Sequence, residues 1–97
     1  MLNAKKHSKV LAVCDSKLIG RKLKENEMVL DLKAHSAFYG ERVSESTVKE
    51  WLIEAFNNKH SINLVGSESV SLALSVLKIK PRIFLIENVP ILQIYFI

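Results

Sequence analysis

Three features of this sequence predict an α/β fold of the α+β kind: a two-layer sandwich with two helices on a mixed or largely antiparallel sheet. The first is an amphipathic helical stripe between Ser44 and Asn58. The second is a shorter helical segment opening at Gly66–Ser67. The third is a set of short apolar runs, separated by turn residues at hairpin spacing. The predicted element order is β-β-β-α-β-α-β-β. At 97 residues the chain reads as a single domain, 1–97, with no room for a second core.

Met1 to Ser8 reads as a loose, flexible basic tail. "KVLAVC" (9–14) is a continuous apolar run of the kind a buried strand shows. "DSKLIG" (15–20) places Asp, Ser and Gly around Leu18 and Ile19, which predicts a turn with its apolar pair tucked inwards. "RKLK" (21–24) and "MVLDL" (28–32) flank "ENE" and form a predicted hairpin.

The first helix has the fullest local support. Ser44 can cap it, and Glu45 sits in the first turn, where an acid complements the helix dipole. Val48, Trp51, Leu52, Ala55 and Phe56 then recur at i, i+3, i+4, i+7 and i+8. "SINLVG" (61–66) predicts a short strand. The second helix follows over Glu68–Leu77 with Val70, Ala73, Leu74 and Leu77 on one face, and Pro81 blocks continuation. Arg82–Glu87 and Ile91–Phe96 are the closing strands, joined at Asn88–Pro90.

Composition narrows the classes. The chain is 48% apolar and 25% charged, a globular mix. A lone Cys14 has no internal disulfide partner, which fits a reducing, cytoplasmic compartment. No basic-then-apolar leader opens the chain, and "IFLIENVPILQIYFI" is too short and too interrupted for a membrane span. Left as an exposed edge, residues 91–97 would be sticky, so they are expected to be covered or paired, or to mediate self-association. The net charge of +4 belongs to residues 1–33, which carry eight Lys/Arg against four Asp/Glu. Residues 34–97 carry six of each sign. A basic excess of this kind steers polyanions.

Three constellations stand out, each with two readings. In "FYGER" (38–42), Phe38 and Tyr39 are either a base-stacking platform with Gly40 and Arg42 beside it, or core packing with Gly40 supplying a positive φ. In "NLVGSES" (63–69), Asn63, Gly66 and Ser67 are either an anion site at a helix start or plain capping. No G-x-G-x-x-G or G-K-[ST] accompanies them. Lys17, Arg21, Lys22 and Lys24 are either phosphate contacts or a solubilising surface beside Glu25 and Glu27. Catalysis has less support. His7, His35 and His60 form no metal spacing with Cys14, and Asp15, Asp31 and His35 carry no nucleophile signature. The sequence therefore assigns no catalytic residue, metal or cofactor.

"AVCDSKLIGRKL", "LDL" leading to "FYGERVSE", "NLVGSESV" and "ENVPILQ" together resemble the archaeal family catalogued as domain of unknown function 424, over about residues 9–93. The matching positions are Cys14, Asp15, Leu18 to Gly20, Phe38 to Gly40, Asn63, Val65, Gly66, Val89, Pro90 and Gln93, none with a demonstrated role. The terminal "IYFI" is more apolar than the family pattern implies. The resemblance implies a small α/β domain in a setting of translation or RNA metabolism.

The leading expectation is a non-catalytic module for RNA or a ribonucleoprotein. Lys17, Arg21, Lys22 and Lys24 would hold phosphates, and Tyr39, Gly40 and Arg42 would make local contacts. One rival is a protein-interaction subunit docking through the apolar C-terminal strand. A second is a small-molecule enzyme, which requires a pocket around Asp15, His35 and Asn63.

Overall fold

The computed structural model describes residues 1–96. Its strands are β1 (Leu2–Lys6), β2 (Val10–Asp15), β3 (Lys22–Glu25), β4 (Met28–Asp31), β5 (Glu41–Val43), β6 (Ser61–Val65), β7 (Phe84–Ile86) and β8 (Val89–Ile94). Its helices are α1 (Ser36–Tyr39), α2 (Glu45–Asn57) and α3 (Ser67–Leu77). Six strands form one sheet in the order β5-β1-β2-β6-β8-β7, and β3-β4 form a separate ribbon. Within the sheet β2 and β6 run parallel and every other neighbour is antiparallel. The fold is thus the mixed, mostly antiparallel α+β sheet expected, with two substantial helices.

Strand alternation divides the sheet between two apolar layers. Leu11 and Val13 of β2 and Ile62 and Leu64 of β6 face α2 and α3, where Val48, Leu52, Val70 and Ala73 are buried against them. Ala12, Cys14 and Val65 face the other way and pack with Leu18, Leu23 and Leu32. The β3–β4 ribbon and α1 therefore partly cover the sheet face that a two-layer description leaves open. Leu23, fully buried between exposed Lys22 and Lys24, anchors the ribbon.

Local chemistry sets the element limits. Ser44 Oγ accepts from the Thr47 amide at 3.3 Å and caps α2. Lys78, at φ 55°, terminates α3 in a left-handed conformation. Glu87 and Asn88 both take positive φ between β7 and β8, the geometry of a two-residue type I′ turn.

Two expectations are corrected. Leu2–Lys6 is not a flexible tail but a strand between β2 and β5, with Leu2 and Ala4 buried in the helix-facing core. The alternation of Leu2 and Ala4 with Asn3 and Lys5 is a half-buried strand pattern that the lysines disguise. Glu41–Val43 is a further strand, β5, and Ser36–Tyr39 a short helix, neither of them in the expected order. The terminal strand is paired, as one reading of residues 91–97 expects: β8 pairs with β6 over Ile91–Ile94 and with β7 over Val89–Ile91. Phe96 packs edge-to-face on Phe56 with ring centroids 5.4 Å apart, and Ile97 lies outside the described residues. No helix among the described residues is long and apolar enough to cross a membrane.

Candidate functional site

The parallel pair β2 and β6 sends its two chain ends out at the same end of the sheet, where Asp15 and Gly66 lie side by side. Asp15 is fully buried. Its carboxylate accepts from the amides of Glu68 at 3.1 Å and Ser69 at 2.8 Å, and from Ser69 Oγ at 2.8 Å. These donors belong to the first turn of α3, whose free N–H groups and dipole favour an anion. Gly66 makes the contact possible, since a Cβ there would lie 2.2 Å from the carboxylate carbon of Asp15. The amino end of α3 is thus capped from a distant strand by a charge the chain carries itself. Ser67 is exposed and supplies no side-chain cap.

A cleft of about 230 Å³ lies over this junction, bordered by Lys17, Arg21, Gly66, Ser67 and Asn88. It joins two constellations that are some forty residues apart in the sequence: the basic segment and the α3 start. The 3-10 turn Ser16–Leu18 holds Lys17 outward by burying Leu18. The Arg21 amide donates to the Leu18 carbonyl at 3.0 Å, and the Leu32 amide donates to the Arg21 carbonyl at 2.8 Å. Lys22 and Lys24 continue along the outer face of β3. The ribbon is tied down by the Lys24 amide donating to Glu87 Oε2 at 2.6 Å and the Glu87 amide donating to Glu25 Oε1 at 3.0 Å. Among the described residues, ion pairs join the Met1 amino group to Glu68 and Lys6 to Glu54. Lys17, Arg21, Lys22 and Lys24 take part in neither.

Asn63 is not at the cleft. It lies farther along β6, on the sheet face that α1 and the β3–β4 ribbon cover, where its Oδ1 accepts from the Tyr39 hydroxyl at 3.1 Å. Asn88 is the cleft residue that sequence reasoning missed. Its signal was the "EN" turn before Val89–Pro90, read only as a strand connection.

"FYGER" resolves as packing. Tyr39 is 2% exposed, so its ring offers no stacking face. Burial, with the neighbouring Cys14, pushes its hydroxyl pKa up from the ordinary 10.0. Phe38 is half-buried and stacks on His7 with centroids 4.6 Å apart, while His7 Nε2 lies 2.9 Å from the Phe38 carbonyl oxygen. Gly40, at φ 66°, lets the chain pass β1: a Cβ would meet Lys5 Cβ at 2.9 Å and the Ala4 carbonyl at 3.0 Å. Its carbonyl accepts from Asn3 Nδ2 at 2.9 Å. Arg42 is exposed on β5 and borders a separate cleft with Met1, Ser44 and Glu68.

Asp15, His35 and Asn63, the residues named for a small-molecule pocket, do not meet. Asp15 serves α3, Asn63 binds Tyr39, and His35 is exposed at the start of α1. Asp31 builds the turn before α1, where the Ala34 amide first and the Lys33 amide next hold its carboxyl below the usual carboxylate range. Burial and the Asp15 charge push the Cys14 thiol up to about 12, so it is protonated and inert near neutrality. Among the described residues no group of three or more His, Cys, Asp or Glu is placed to hold a metal ion.

The family described as "Protein of unknown function (DUF424)" matches residues 2–97. No curated protein matches the chain. The crystal structure of an uncharacterized conserved protein from Methanopyrus kandleri is similar, with a TM-score of 0.75 and 24% identity. The likeness covers 97% of this chain and 88% of that one, and it carries the fold.

Proposed function

The chain belongs to the DUF424 family, and from its surface chemistry we propose that it is a non-catalytic module binding the phosphate backbone of RNA, alone or within a ribonucleoprotein. One observation carries this reading. Lys17, Arg21, Lys22 and Lys24 are all exposed, all outside the ion pairs, and strung from the cleft at the ends of β2 and β6 along one face of the β3 arm. A row of exposed cations along one strand arm suits a repeating anion. The buried Tyr39 removes the stacking half of the expected interface, so the contact is led by phosphates and tolerant of sequence. A reducing cytoplasm, and translation or RNA metabolism within it, is the setting in keeping with the lone buried thiol and the family resemblance.

The test is fluorescence anisotropy with a labelled structured RNA over a range of salt. Three to four phosphate contacts at ~0.7–0.9 counterions each give a slope of roughly −3 for log K against log salt. Reversing Lys17, Arg21, Lys22 and Lys24 to Glu should abolish binding without unfolding the chain. Affinity indifferent to salt, or surviving the reversal, would sink the reading.

A further inference from the structure

The two edges of the six-stranded sheet differ in chemistry. β5 presents Glu41 and Arg42, whereas β7 and the residue before it present Ile83, Phe84 and Leu85, which are 37%, 37% and 50% exposed. Met28 and Val29 of the ribbon extend this apolar strip, being 41% and 52% exposed. With Phe84 they border a groove of about 250 Å³. Such an edge is a template for a further strand.

The hydrogen-bonding groups on that edge follow from the hairpin. Ile86 and Val89 flank the two-residue turn, so they form a hydrogen-bonded pair. Leu85 opposite Pro90 is then a non-hydrogen-bonded pair. Pro90 agrees, since its carbonyl accepts from the Gly66 amide at 2.9 Å, on the side away from β7. Alternation therefore turns the N–H and C=O of Leu85 outward, free for a new partner.

Charge identifies that partner. Lys78, Lys80 and Arg82 lead into β7, and all three are exposed. At its other end Glu87 meets Glu25, with Glu27 in the same ribbon turn. Lys24 shares that corner, so three carboxylates less one ammonium leave it at −2 facing a +3 approach. A strand basic at its start and acidic at its end is complementary to itself when antiparallel. A parallel partner of the same kind would set like charge on like.

We infer that β7 is the contact between two copies of this chain, paired antiparallel about a two-fold axis at Leu85. The contact is isologous, so each basic approach meets the acidic corner of the other copy, twice over. Leu85 supplies both backbone bonds at the axis, and Ile83 and Phe84 bury their exposed surface against the second copy. The two sheets become one of twelve strands, and the unpaired apolar edge disappears.

Sedimentation velocity of the full chain, dilute and concentrated, at low and high salt, tests this. The expected result is a reversible dimer that weakens as salt rises. Leu85→Lys, which charges the edge, should weaken it by about tenfold or more. So should Lys80→Glu with Arg82→Glu, whose exposed side chains keep the test valid should the Leu85 variant fail to fold. Mixing that charge-reversed chain with Glu27→Lys should restore association as a heterodimer. A chain monomeric in every condition, a dimer indifferent to these changes, or no heterodimer from the mixture would overturn the inference.

Discussion

Replacing Gly66 by Ala should destabilise the fold mainly through Asp15, and a double-mutant cycle can separate that effect from backbone strain. Gly66 sits at φ 108° and ψ 156°, a region essentially confined to glycine. Forcing a side chain there costs ~1–3 kcal/mol, taken as about 2. The added Cβ would also stand 2.2 Å from the carboxylate carbon of Asp15, so the carboxylate must leave the α3 amino end. It would abandon the Glu68 amide, the Ser69 amide and the Ser69 hydroxyl. Loss of a helix cap costs up to ~2 kcal/mol, and unmet buried donors raise this to about 3. Gly66→Ala alone should therefore cost about 5 kcal/mol, and Asp15→Ala alone about 3.

The double variant should cost about 5 rather than the additive 8, because the second change removes a carboxylate that the first already displaced. Urea unfolding followed by far-UV circular dichroism measures all three on one scale, and a chain of this size has only ~5–15 kcal/mol to lose. Additivity within ~0.5 kcal/mol would refute the reasoning, since it would mean that Gly66 and Asp15 act independently.

Tyr39→Phe should cost about 1 kcal/mol, because it strips Asn63 Oδ1 of its donor while keeping the ring in the core; urea titration reads this, and RNA affinity should not change. Deleting residues 1–6 should unfold the chain rather than trim it, seen as loss of cooperative melting, because β1 joins β5 to β2. Alkaline pH should destabilise the protein. The folded thiol of Cys14 stays protonated to about 12, against an ordinary 9.0, so its stabilising share is complete below pH 9 and is lost as pH rises through that window. Tyr39, also shifted upward, adds to the same fall. Unfolding free energy measured from pH 8 to 12 should decline, and Cys14→Ala should flatten the curve.

Most of the frame was legible because short-range signals and tertiary packing agreed. Ser44 and the Val48–Phe56 stripe gave α2, and "KVLAVC" and "SINLV" gave the two central strands. β1 was hidden because three lysines among residues 5–9 outweighed the two inward positions, Leu2 and Ala4, that place it in the sheet. β5 was hidden by its length: Glu41–Val43 has no pattern of its own and exists by pairing with β1. At the site, the basic segment and the α3 start were each visible, but their adjacency depends on the parallel register of β2 and β6. Asp15 was visible as the first residue of the "DSKLIG" turn. Its partner in capping lay fifty-four positions away, beyond the reach of local reasoning.

Under the proposed function, that distant cap also bears on which kind of anion would suit the cleft. The amino end of α3 would ordinarily attract a lone phosphate through its backbone N–H groups. Here Asp15 occupies the amides of Glu68 and Ser69 at hydrogen-bonding distance and brings its own negative charge to the floor of the cleft. A small anion entering would meet a buried carboxylate below and only Lys17 and Arg21 at the rim. A long polyanion is differently placed. It can stay at the rim, engage Lys17 and Arg21, and continue outward to Lys22 and Lys24 along the ribbon, gaining with each phosphate what no single deep site supplies. On the proposed reading, the carboxylate that closes the helix to a small ligand leaves the surface cations to do the binding, and their row favours a repeating backbone.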